Sequence, residues 1–101
     1  MSYDLSKIEA EVQAGEARLF DVREQDEWDA GHLKHATLVP LSGIQGGEYP
    51  EENQDVKTYL HCRSGQRVFM AAPLLEQAGF SNVIPLNEGF ESLLEEGFEE
   101  A

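Results

Sequence analysis

A polar run, Cys62-Arg63-Ser64-Gly65-Gln66-Arg67, separates two apolar stretches and restricts the fold more than any other part of this sequence. Apolar Tyr59-Leu60 precede the run and a helix-like stretch follows it, so the local order is strand, tight loop and helix. In such a loop the backbone N–H groups converge towards the first turn of the helix, where the helix dipole adds partial positive charge. The sequence therefore predicts an anion-binding loop with the chain's only cysteine at its head.

The residue types in this loop favour a reactive cysteine. A helix N-terminus and neighbouring cations make a thiol ionise more readily, and Gly65 lets the backbone turn closely around a bound anion. Arg63 and Arg67 provide planar groups of N–H donors for its oxygens. A lone cysteine is more often an inert buried thiol, but a core cysteine would not normally be followed by five residues of which none is apolar. We therefore predict Cys62 as the nucleophile, with a substrate-binding set made of Arg63, Ser64, Gly65, Gln66 and Arg67.

The rest of the chain alternates between helical and strand patterns. We predict helices over 6–14, 24–30, 66–78 and 88–96, strands over 18–22, 38–41, 56–60 and 82–84, and a loop over 42–54. Ser6 and Glu9 have the spacing of a capping box for the first helix. Short apolar strands separated by helices predict an α/β fold, with a small, mostly parallel central sheet flanked by helices on both faces. Such sheets bind ligands at the carboxyl ends of their strands, and Cys62 follows a predicted strand.

Composition limits the size of the core and the class of partner. A chain of 101 residues, 41% of them hydrophobic, can bury one core, so we predict a single domain over residues 1–101. Seven basic and twenty acidic residues give a net charge of −13, which disfavours nucleic acid as a partner and favours a monomer. We find no apolar N-terminal segment and no apolar run of spanning length, so we expect neither an export signal nor a membrane span. We expect a cytoplasmic protein, because that compartment keeps a thiol such as Cys62 reduced.

The sequence gives less support for catalytic or metal-binding roles of the other polar residues. Asp21 and Arg23, at the end of a predicted strand, suit a structural ion pair near the site better than a catalytic one. His32 and His35 have no other ligand types in range, so we predict no metal site, and we expect no cofactor. His61 adjoins Cys62 on a strand and should point to the opposite face, so we predict that it packs and does not act as a base.

Several segments, in their order and spacing, resemble the rhodanese family over nearly the whole chain. Its amino-terminal signature is similar to Leu19-Phe20-Asp21-Val22-Arg23-Glu24, Glu27-Trp28, Gly31-His32-Leu33, His35-Ala36 and Val39-Pro40. Its six-residue active-site loop resembles residues 62–67, and the helix and strand behind that loop resemble the segments at Leu75, Ala78-Gly79-Phe80 and Val83.

The chain departs from the family pattern near its carboxyl end. The family commonly has a Gly-Gly pair and then a tryptophan, whereas this chain has Asn87-Glu88-Gly89-Phe90 and carries Leu93 where the tryptophan is expected. Pro73 also falls inside a predicted helix, where it removes one hydrogen bond. These departures concern the surroundings of the site and leave Cys62 and the loop arginines in place.

The resemblance implies sulfur transfer by double displacement. A Cys62 thiolate would take the outer sulfur of a donor such as thiosulfate, release sulfite, and pass the sulfur from a persulfide to cyanide or to a thiol, which could belong to a small protein. Four residues separate Cys62 from Arg67, whereas tyrosine-phosphatase-type loops have five, so a phosphatase or arsenate reductase is a weaker alternative. A binding or regulatory module is the other alternative, although modules of this family often lack the cysteine that this chain keeps.

Overall fold

The computed structural model describes residues 4–101, within which five helices and four strands alternate along the chain. In chain order they are α1 Leu5–Gln13, β1 Arg18–Asp21, α2 Gln25–Asp29, β2 Thr37–Leu38, α3 Leu41–Gln45, β3 Thr58–Cys62, α4 Val68–Gln77, β4 Val83–Gly89 and α5 Phe90–Glu95. Among these residues no helix is both long enough and apolar enough to cross a membrane.

The four strands of the described residues form one parallel sheet in the order β2-β1-β3-β4. Every residue of the inner strand β3 is buried, as expected for a strand covered on both faces. Alternate residues face opposite sides: Phe20 and Leu60 belong to the core cluster that includes α3 and α4, whereas Leu19 and Tyr59 belong to the cluster that includes α1 and α5. The predicted α/β sheet with helices on both faces is confirmed.

The predicted capping box at the first helix is wrong. Asp4 is the N-cap of α1, and its Oδ1 accepts the N–H of Ser6 at 3.1 Å. The Glu9 carboxylate instead accepts the N–H of Glu99, which is 90 residues away in the sequence. Because the helix begins at Leu5, Glu9 lies beyond the third helical position that a capping box requires. A reciprocal capping box is present at α2, between Glu24 and Glu27.

The predicted loop over 42–54 contains part of a short helix. Helix α3 begins at Leu41 and ends at Gln45, and it buries Leu41 and Ile44 against α4. Glycines at positions 43, 46 and 47 give this segment a low helix propensity, so the sequence predicts a loop. The helix forms because it buries two side chains. The last strand is also longer than predicted: β4 continues to Gly89, so the final helix begins at Phe90 and not at Glu88.

Candidate functional site

Cys62 is the last residue of β3 and is fully buried at the carboxyl end of the parallel sheet. Residues 63–67 form the loop that follows, and Arg67 is the N-cap of α4. The Sγ atom of Cys62 accepts the backbone N–H of Gly65 at 3.2 Å. A backbone donor thus already points at the sulfur, which is the arrangement that stabilises negative charge on it.

The loop packs directly against the end of β4, backbone to backbone. Gly65 has φ +82°, and a Cβ added there would overlap the carbonyl oxygen of Asn87. A Cβ added at Gly89 would overlap the carbonyl oxygen of Arg63. The pairing of β3 with β4 shifts register between Leu60 and Cys62, so that Cys62 lies opposite Gly89. The one glycine that this chain keeps from the family's pair is therefore the one that the close approach requires.

The two arginines of the loop differ in their surroundings. Arg63 is exposed and lies beside a cleft of about 650 Å³. Arg67 is held by Glu27 of α2 through two hydrogen bonds of 2.6 and 2.8 Å. The Arg67 guanidinium lowers the pKa of Glu27 to about 2, against the smaller opposing effect of burial. The predicted substrate donor Arg67 thus already uses two of its N–H donors on a carboxylate.

The cleft opens beside the cysteine loop, between α2 and the start of α5. Its walls include Glu27, Gly31, Arg63, Ser64, Phe90 and Glu91. Of the predicted substrate-binding residues, Arg63 and Ser64 line this cleft, Gly65 contacts the sulfur, and Gln66 is exposed on the loop.

Asp21 and Arg23 form a buried ion pair beneath the site. The Arg23 guanidinium donates to Asp21 at 2.8 and 3.0 Å and to the carbonyl oxygen of Gly31 at 2.7 Å. Its carbon Cζ lies 4.3 Å from the ring centre of Phe90. These contacts fix the turn after α2 and the first residue of α5, which form two walls of the cleft.

His61 is fully buried and, as the neighbour of Cys62 on β3, faces the other side of the sheet. Its Nδ1 lies 3.3 Å from the carbonyl oxygen of Cys62, and its Nε2 lies 3.5 Å from Oδ2 of Asp21 without forming a hydrogen bond. Burial lowers the pKa of His61, and the nearby Asp21 carboxylate opposes this only in part. Because burial dominates, we regard the contact with Asp21 as a dipolar one and not as an ion pair.

Glu27 and Phe90 are the site residues that sequence reasoning missed. Glu27 lies in an acidic stretch that is typical of a solvated helix face, and only the Glu27-Trp28 pair of the family signature indicated it.

His32 and His35, the two histidines considered as metal ligands, make other contacts. The His32 ring stacks on Trp28 at 3.7 Å, and Nε2 of His35 is 3.6 Å from Oε1 of Glu99. Within residues 4–101 we find no group of three or more potential metal ligands.

The fold and the site define a parallel α/β protein with a cysteine loop at the carboxyl edge of its sheet. Residues 4–96 match the family described as "Rhodanese-like domain", and the chain belongs to this family. It is 39% identical over 72 residues to the probable adenylyltransferase/sulfurtransferase MoeZ of Mycobacterium tuberculosis, covering 70% of this chain and 18% of MoeZ. It is 30% identical over 86 residues to the putative sulfur carrier protein YrkF of Bacillus subtilis, covering 84% of this chain and 46% of YrkF.

Solved structures show the same fold. The human single-domain sulfurtransferase TSTD1 superposes with a TM-score of 0.79 at 22% identity, covering 93% of this chain and 95% of that protein. The chain spans well under half of MoeZ and just under half of YrkF, so these relatives carry substantial sequence that this chain does not match.

Proposed function

We propose that this protein is a sulfurtransferase that carries sulfur as a persulfide on Cys62. The observation that carries the proposal is the Cys62 sulfur, which lies within a tight loop and accepts the N–H of Gly65. The family assignment supports it, as do the sulfurtransferase and sulfur-carrier names of two relatives. We also propose that residues 1–101 act as one domain, that the protein is a monomer without a cofactor, and that it works in the cytoplasm, where the thiol stays reduced.

The first half-reaction loads the cysteine. The Cys62 thiolate forms a bond to the outer sulfur of a donor such as thiosulfate while the donor's S–S bond breaks, and sulfite leaves with the electron pair. The N–H of Gly65 and the exposed Arg63 would stabilise the terminal sulfur and the departing anion. In the second half-reaction an acceptor thiolate, or cyanide, attacks the outer sulfur of the persulfide and restores the Cys62 thiolate.

A mass measurement tests this proposal. The reduced protein is incubated with thiosulfate and its intact mass is recorded beside that of a Cys62→Ser variant. We expect the native protein alone to gain one sulfur atom, about 32 Da, and to lose it again when a thiol acceptor is added.

The negative outcomes separate the alternatives. If no adduct forms although Cys62 is alkylated quickly near neutral pH, the search moves to other sulfur donors or to phosphate and arsenate esters. If no adduct forms and alkylation is also slow, a binding or regulatory module is favoured.

A further inference from the structure

The arginine that ends the cysteine loop is held in place by a carboxylate from another element. Arg67 donates through Nη1 and Nη2 to the two carboxylate oxygens of Glu27. Oε1 of Glu27 also accepts the N–H of Glu24 at 2.9 Å, which fixes the carboxylate at the start of α2. A two-bond pair of this kind uses two of the five N–H donors of the guanidinium and compensates its positive charge, so Arg67 attracts a second anion less strongly.

The pair persists at the pH at which a thiol would react. The Arg67 guanidinium keeps the pKa of Glu27 far below neutrality, at about 2. The pKa of Arg67 is raised, mainly by its hydrogen bonds to Glu27 and to a smaller degree by Cys62. Arg67 thus ends the loop that begins at Cys62, but its charge is compensated by Glu27.

The other charges around the cleft do not replace Arg67. Arg23 is bound to Asp21 and faces the ring of Phe90. Arg63 is the exposed cation, and within residues 4–101 it makes no ion pair. Two carboxylates, those of Glu27 and Glu91, line the same cleft. The charges of the pairs Arg23–Asp21 and Arg67–Glu27 compensate each other, so a donor with two negative charges would meet one unpaired guanidinium, that of Arg63, and one further carboxylate, that of Glu91.

We propose that Glu27 sets the donor preference of the site: by compensating Arg67 it disfavours dianionic donors such as thiosulfate and favours donors of lower charge, such as organic persulfides. This inference rests on the proposed sulfur transfer at Cys62. With a persulfide donor the Cys62 thiolate bonds to the terminal sulfur, the donor's S–S bond breaks, and the donor leaves as a thiolate with the electron pair. The proton of the terminal sulfur stays with the transferred atom, so no further reactant is needed.

Thiosulfate and methanethiosulfonate make a matched pair of probes. Both transfer the same kind of outer sulfur, but a methyl group replaces one charged oxygen in methanethiosulfonate, so the two donors differ by one negative charge. Sulfite leaves from the first and methanesulfinate from the second, and each carries away the electron pair of the broken S–S bond. The second-order rate of persulfide formation on Cys62 is followed by intact mass for each donor.

The variant Glu27→Gln removes one charge while it keeps an oxygen for the N–H of Glu24. The NH₂ group of the new side chain faces an N–H donor of Arg67, so one of the two hydrogen bonds is lost. The Arg67 guanidinium can then bind an anionic donor. We expect the ratio of the thiosulfate rate to the methanethiosulfonate rate to rise about threefold or more. The increase should shrink in about 0.5 M salt, because added ions screen charges beyond a few ångströms.

Two further variants separate release of Arg67 from a general change of charge. Glu91→Gln removes a carboxylate from the same cleft without freeing Arg67, and we expect a smaller change in the ratio. Adding Arg67→Gln to Glu27→Gln should cancel the increase, because the released guanidinium is then absent. Circular dichroism confirms beforehand that each variant folds.

The inference is overturned if Glu27→Gln accelerates both donors equally, or if Glu91→Gln raises the ratio as much. In either case the native protein still gains sulfur, so the proposed function stands. If neither donor adds sulfur to any form of the protein, the proposed function fails, and the inference fails with it.

Discussion

Single glycines determine the shape of the cysteine loop. Gly65 and Gly89 allow the backbone of the loop to touch the backbone at the end of β4, with no room for a side chain at either position. Gly65 also has a positive φ of +82°, which L-residues with a side chain adopt only at a cost. The contact places the N–H of Gly65 on the Cys62 sulfur, so backbone packing, and not a catalytic side chain, builds this part of the site.

We predict that Gly65→Ala destabilises the protein and abolishes sulfur uptake. The proper control is Gly15→Ala, because Gly15 has nearly the same φ of +79° and no atom within 4 Å of the added Cβ. The control should lose about 1 kcal/mol of unfolding free energy from backbone strain alone. Gly65→Ala should lose about 3 kcal/mol or more, because the loop must also move away from β4.

Urea unfolding and the thiosulfate mass assay measure both effects. Equal losses of stability in the two variants, with sulfur uptake intact, would contradict the role given to the contact between Gly65 and Asn87.

Among the elements, α2 depends most on polar contacts. It has five residues, and none of them is buried. Its start is closed by the reciprocal bonds between Glu24 and Glu27, and the Glu27 carboxylate then joins it to Arg67, the N-cap of α4. A helix this short is not stable by itself, so these contacts determine where α2 lies beside the cleft.

We predict that Glu27→Gln lowers stability at neutral pH but not in acid. The folded protein lowers the pKa of Glu27 from 4.5 to about 2, so the carboxylate stabilises the fold above its unfolded-state pKa. That contribution is lost as the pH falls from about 4.5 towards about 2, because over this range the unfolded state binds a proton that the folded state does not. After allowance for solvent screening we expect a difference of about 1 kcal/mol near neutrality.

Urea titrations of the native protein and of Glu27→Gln over this pH range check the prediction. A difference in unfolding free energy that stays constant down to the lowest pH would show that the carboxylate charge is not the source of the stability.

At the scale of the whole molecule, the acidic charge is unevenly distributed along the chain. Residues 56–75, which include β3, the cysteine loop and most of α4, contain none of the twenty acidic residues and three of the seven basic ones. The elements that hold the site are therefore free of carboxylates of their own, and those near the loop come from other elements, as Glu27 and Glu91 do. The rest of the chain has twenty acidic and four basic residues, a formal charge of −16 within the total of −13.

We predict that salt stabilises this protein. Twenty acidic and seven basic residues leave an excess of negative charge, and these like charges repel one another in the compact state. Added ions screen that repulsion. The unfolding free energy should rise when sodium chloride increases from about 0.02 to about 0.3 M, over which the Debye length falls from roughly 20 to roughly 6 Å. A fall in stability over this range would show that the ion pairs outweigh the repulsion.

The sequence determined the order of strand, loop and helix around Cys62, and with it the place of the cysteine at the carboxyl edge of a parallel sheet. It could do so because these features depend on near neighbours: apolar runs, a glycine turn and the spacing of helix signals within a few residues. The short helix α3 and the end of β4 escaped prediction because burial, and not propensity, stabilises them.

Only the tertiary structure decided which partners the site residues have. Arg67 pairs with Glu27, 40 residues away, and Gly65 meets the carbonyl of Asn87 on a neighbouring strand. No local pattern records such contacts, since they exist only after parallel strands have brought distant segments to one edge of the sheet. The sequence by itself thus placed the cysteine at the head of a loop at the edge of the sheet, and the fold determined the charges that surround it.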